Sequence, residues 1–78
     1  MKWQFEVGTL LNDSGKVCMV SAHLPSGCET FDGYAKINWR DNYELIYANS
    51  TVYVIGASAL HRMVETGKIN LIKDASEP

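Results

Sequence analysis

YVIGASALHRMVETGKINLI, residues 53 to 72, changes its hydrophobic period twice. Thr51 to Ile55 (TVYVI) is β-branched and aromatic and reads as a strand, which Gly56 breaks. From Ala57 to Thr66 the spacing becomes helical, with Leu60, Met63 and Val64 on one apolar stripe. Ser58 is placed to cap the helix start, and Gly67 falls where a left-handed C-terminal cap belongs. Lys68 to Lys73 (KINLIK) then returns to strand chemistry. The same stretch carries His61, Arg62 and Glu65, which this reading assigns to the solvated side of the helix.

Working back toward the start, Trp3, Phe5 and Val7 alternate with Lys2, Gln4 and Glu6. That is the period of a strand with one buried face, predicted to continue to Leu10 or Leu11. Asn12-Asp13-Ser14-Gly15 is a dense turn signal, so a second strand is expected to return through Lys16 to Leu24. Pro25 to Gly33 (PSGCETFDG) reads as the longest loop. YAKINWRDNYELIYA, residues 34 to 48, reads as a hairpin with two registers. A two-residue turn at Asp41-Asn42 groups Ala35, Ile37, Trp39, Glu44, Ile46 and Ala48 on one face. A three-residue turn, the preferred one, groups Ala35, Ile37, Trp39, Tyr43, Leu45 and Tyr47. That second register keeps Glu44 off the apolar side, where an unpaired carboxylate is costly. Residues 74 to 78 (DASEP) are expected to form a disordered polar tail.

With 78 residues, residues 1 to 73 form one domain, and a chain this short has a thin core. Four or five strands, one helix (57–66) and a closing strand make it mainly β with one helix. The expected architecture is a small antiparallel half-open barrel of about five to six strands, its open end covered by the helix. Seven Lys and Arg against nine Asp and Glu give a net charge of −2, which disfavours the phosphate contacts that drive nucleic-acid binding. The alternating start lacks the apolar run of a signal peptide, and the cytoplasm is the expected compartment.

Val7-Gly8-Thr9-Leu10-Leu11, then Gly15-Lys16-Val17-Cys18-Met19-Val20, then Ala35-Lys36-Ile37-Asn38-Trp39 before an Asp turn resembles the small SH3-like barrels encoded in bacteriophage genomes. Cys18 stands where those motifs carry a second Gly, Asn42 replaces the hairpin Gly, and the 57–66 helix is longer than their tight turn. The resemblance implies an SH3-like fold and a role as a virion accessory part, adaptor or host-protein inhibitor, in the host cytoplasm or the virion. It transfers no functional residue, because the matched positions are framework ones.

The residues that bear chemistry fall into four groups. His61 and Glu65 stand at i,i+4, a spacing used to orient a general base, but no nucleophile accompanies them and a surface pair is the plainer reading. Cys18, His23, Cys28 and His61 are zinc-ligand types whose separations do not follow the usual close pairs, so no metal or cofactor is assigned and both cysteines are read as free thiols. His23 is the only base near Cys28 in sequence. Tyr34, Lys36, Asn38 and Arg40 alternate along one expected strand, the interleaving of rings and cations that single-stranded nucleic acid uses. Asp32, Asp41 and Glu44 weaken that field.

Two Trp, four Tyr and two Phe exceed what so small a core holds comfortably. The expected function is therefore non-catalytic binding of another protein, or of a second copy, through an exposed aromatic face. Tyr34, Tyr43, Tyr47, Tyr53 and Trp3 are the candidate contacts, the first strand offering an edge for pairing with its own copy.

Overall fold

The computed structural model describes residues 3–26, 29–31, 35–37 and 40–75. The strands are β1 (Leu10–Asp13), β2 (Lys16–Leu24), β3 (Glu29–Phe31), β4 (Ala35–Ile37), β5 (Asn42–Tyr47), β6 (Val52–Gly56) and β7 (Ile69–Lys73), with helix α1 (Ala57–Glu65) between the last two. Five of them form an unclosed antiparallel sheet in the order β6-β5-β2-β1-β7. The chain is mainly β, with its helix before the last strand as expected. Because β6 and β7 are the two outer strands, α1 must cross from one edge of the sheet to the other.

The Asn12–Gly15 signal works as a tight hairpin. Ser14 (φ 54) and Gly15 (φ 89) both take the left-handed conformation that a two-residue primed turn demands, and Asn12 Oδ1 accepts the Gly15 amide at 2.7 Å. At Ser21 the pairing of β2 with β5 slips by one residue, a bulge that bends the strand. The Ser21 hydroxyl occupies the gap, donating toward the Glu44 carbonyl (3.1 Å) and its carboxylate (2.9 Å).

The core consists of Phe5, Leu11, Cys18, Val20, Tyr43, Leu45, Ala57, Leu60 and Ile69. Within β5 Tyr43 and Leu45 share one face with Glu44 on the other, as the three-residue turn groups them, but that face is the buried one, so Tyr43 is not the exposed contact expected of it. Leu60 is 0% exposed, and Met63 and Val64 pack against the core beside it, so the helix closes the concave side.

Four expectations are corrected. The hairpin over residues 34–48 does not form. β4 pairs instead with β3, Phe31 opposite Ala35, because both edges of β5 are occupied by β2 and β6. The Pro25–Gly33 stretch accordingly supplies a strand. The first strand begins only at Leu10, since Gly8 takes φ 101 and the chain folds back through a Thr9 amide bond to the Glu6 carbonyl. Trp3 and Phe5 therefore offer no edge to a second copy. Ser58 makes no cap: Gly56 is the N-cap, no side chain bonds there, and the Asp41 carbonyl accepts the Ala57 amide at 2.9 Å. At the other end of the chain the Ala75 amide donates to buried Thr9 Oγ1 at 3.3 Å, and residues 76–78 lie outside the described residues. Gly67 does take the left-handed conformation (φ 84) at the helix end.

Replacing Leu60 with Ala is expected to cost about 2–5 kcal/mol in urea-induced unfolding, because the plug between the sheet edges loses its filling. Leu60→Asp is expected to abolish the cooperative transition.

Candidate functional site

The densest polar and aromatic constellation lies where the N-terminal segment, β2, β5 and α1 meet. Trp3 stacks on His23 with ring centroids 4.3 Å apart and planes within 4°. Tyr43 stands edge-on to Trp3 (5.0 Å), His23 (5.5 Å) and His61 (5.4 Å). Its hydroxyl accepts the backbone amides of Gln4 (3.1 Å) and Phe5 (3.3 Å) and lies 2.6 Å from His61 Nε2. His23 Nε2 lies 2.6 Å from the Phe5 carbonyl.

Donor and acceptor capacity fixes the protons. A phenol oxygen that already receives two amides has its own proton to give, and among the described residues the acceptor beside it is His61 Nε2. His61 is therefore neutral, with its hydrogen on Nδ1. A carbonyl can only accept, so His23 donates from Nε2 to Phe5. Burial lowers the His61 pKa, as expected for a ring desolvated beside Phe5 and Tyr43. Burial likewise raises the Tyr43 pKa, and the Phe5 and Gln4 amides offset only part of that.

Tyrosine hydrogen-bonded to neutral histidine is a pairing also found in proton relays, but Tyr43 is 0% exposed. No reactant can touch its hydroxyl, which ties the first residues to the sheet and the helix. A second, half-buried pair sits at the other end of the sheet. Tyr47 donates to Asp13 Oδ2 at 2.8 Å, and burial together with that bond holds the phenol protonated. Cys18 is a free, buried thiol whose pKa is raised, first by burial, with a bond to Tyr47 offsetting part of the rise and Asp13 adding to it, which favours the protonated form.

The structure redistributes the residues singled out in sequence. Among the aromatic contacts, Tyr43 is fully buried, Trp3 and Tyr47 are half-buried against the core, and Tyr53 alone of these four is exposed, at 57%. Tyr34 lies outside the described residues. The Tyr34–Arg40 alternation does not lie on one strand, because β4 ends at Ile37 and Arg40 sits in a bend beyond it. Asn38 also lies outside the described residues. Of the zinc-ligand types, His23 and His61 each commit Nε2 to a bond within the protein, Cys18 faces the core, and Cys28 lies outside the described residues. Among the described residues no three metal-ligating side chains gather, and no helix is long and apolar enough to cross a membrane.

His61 is not on the solvated side of the helix; Arg62 and Glu65 are. The signal was present in the spacing, since Ala57, Leu60, His61 and Val64 stand at i, i+3, i+4 and i+7. Nothing in the sequence joins His61 to Tyr43, which are brought together only by the path of α1 across the sheet.

The surface carries a different feature. Val52, Tyr53 and Val54 on β6 are 53%, 57% and 48% exposed, along a strand whose outer edge has no neighbour among the described residues of the sheet. Across the outer face the register continues Val52 into a row, with Val52 opposite Ile46, Ile46 opposite Met19 and Met19 opposite Leu10. On the inner side Tyr53 borders an open hollow of about 500 Å³ shared with Asp13, Tyr47, Met63 and Lys68. Searches against protein-family models, curated proteins and solved structures returned no match for the chain.

Removing the phenol oxygen tests the buried cluster. Tyr43→Phe strands the Gln4 and Phe5 amides and His61 Nε2, and is expected to cost about 1–3 kcal/mol and to speed hydrogen exchange at the Phe5 amide. The folded state favours neutral His61, so the unfolded chain takes up the proton more readily. Stability is therefore full above the ordinary histidine value of 6.5 and declines as pH falls through the lowered folded value. Denaturation midpoints between about pH 7 and 5 are expected to fall in the wild type and to flatten in His61→Gln, which keeps an acceptor for Tyr43.

Proposed function

We propose that the domain is a non-catalytic protein-binding or structural accessory module that engages its partner along β6. The observation that carries this reading is an edge strand showing Val52, Tyr53 and Val54 to solvent. An exposed strand edge presents unpaired backbone groups to an incoming chain, and alternate side chains supply the grip. Tyr53 is the anchor, offering a large ring at small rotamer cost. The buried cluster around Tyr43 and the half-buried pair of Tyr47 and Asp13 support the same reading, because their titratable groups are spent on internal bonds. A compact β module of this kind suits the accessory role implied by the likeness to phage-encoded barrels, in the cytoplasm or within a particle.

The reading is tested by placing a photo-crosslinking amino acid at position 53 and, for comparison, at exposed Arg62. Irradiation in the expressing host is expected to give a discrete protein adduct from position 53 and none from position 62. Absence of any adduct at 53, or equal labelling from both positions, overturns it.

A further inference from the structure

Resting on that reading, we infer that the partner of β6 is a second copy of this chain, paired antiparallel about a two-fold axis through Tyr53. The backbone decides the register. The Tyr47 amide donates to the Thr51 carbonyl at 2.9 Å, so Thr51 turns its peptide groups toward β5. Along an antiparallel strand that direction alternates, and the register sets Leu45 opposite Tyr53 and Tyr43 opposite Ile55. Thr51, Tyr53 and Ile55 therefore bond inward, while Val52 and Val54 aim their N–H and C=O groups at the free edge. A two-fold axis through Tyr53 sets Val52 opposite Val54 of the copy, each exchanging both backbone bonds. It also puts the two Tyr53 residues in a non-hydrogen-bonded pair, where Cα atoms approach to about 4.5 Å and the rings meet.

The edge meets the self-complementarity that an isologous two-fold pair demands. From Ser50 to Leu60 the chain carries no charged residue, so no like charges face each other across the axis. The opposite edge is guarded by contrast: Lys73 is exposed on β7, Lys68 precedes it, and the β1–β7 pairing is bulged at Leu10/Leu11. Lysines and bulges are the devices by which proteins keep sheet edges apart. β6 has neither. The outer-face row from Leu10 to Val52 then runs on into Val54 of the copy, joining two five-stranded sheets into one.

Sedimentation velocity and light scattering over about 10 μM to 1 mM provide the test, the upper end chosen because strand-edge interfaces lie at the small end of the range. The wild type is expected to approach twice its 8.7 kDa mass as concentration rises. Val54→Lys is expected to weaken association at least tenfold with an unchanged circular dichroism spectrum. Ile72→Lys, on the far edge about 19 Å away across four strand spacings, leaves it intact. In a Cys28→Ser background, Tyr53→Cys is expected to oxidise to a covalent dimer and Thr51→Cys is not, which reads the register without relying on the lysine variant. A wild type that stays at 8.7 kDa throughout, or one that Ile72→Lys disrupts as strongly as Val54→Lys, overturns self-pairing. If the wild type is monomeric while position 53 still crosslinks a different protein, the binding-module reading survives and only the identity of the partner changes.

Discussion

The hydroxyl of Tyr43 is the point at which three separate parts of the chain are held together. It accepts from the first described residues, through the amides of Gln4 and Phe5, and gives its proton to His61 on the helix. Its ring meanwhile fills the core on the central strand β5. A hydroxyl buried this deeply is tolerable only when its bonds are complete, since an unsatisfied polar group in a dry interior costs more than a made bond returns. Among the described residues no buried side-chain nitrogen or oxygen lacks a partner. The angle of the helix, the path of the N-terminal segment and the protonation state of His61 are thus set by one another.

That constraint explains how so small a domain manages an open sheet. The bulge at Ser21 bends β2, and α1 lays Ala57 and Leu60 into the concavity. Trp3 and Phe5, folded back across the same side, cover apolar surface that a nine-residue helix cannot reach alone. Capping the helix by the Asp41 carbonyl ties its start to the segment leading into β5. Each of these devices uses a short loop or a segment end, so the thin core is sealed with little added length.

Leaving the sheet unclosed has a consequence of its own, because two edges remain and they are treated differently. β7 carries lysine and an irregular pairing with β1, whereas β6 pairs with β5 without a register shift and is uncharged and apolar. Aromatic residues divide along the same line. Tyr43 and Tyr47 are consumed by internal hydrogen bonds, and Tyr53, two strand positions from the turn, is left outside. The surplus of rings in the composition is therefore partly structural: Tyr43 is a polar handle inside the core, and Tyr47 packs half-buried against it.

Local chemistry by itself determined the elements whose neighbours along the chain suffice to specify them. The Asn12–Gly15 turn, the helix over 57–65 and its Gly67 terminus follow from turn propensity, the 3.6-residue period and the need for φ above zero. The inward set of β5 was likewise legible, because burying Glu44 would have been costly. Pairing was not. Whether Ala35–Ile37 joins β5 or β3 depends on which edges β2 and β6 have already taken, and that is settled between segments far apart in sequence. The alternation of Trp3, Phe5 and Val7 imitates a strand until Gly8 turns the chain back over β2. The environments of His61 and Tyr43, the most connected groups in the molecule, were decided only in three dimensions. A hydrogen bond spanning eighteen positions leaves no local trace, and it exists because the helix must cross from one sheet edge to the other.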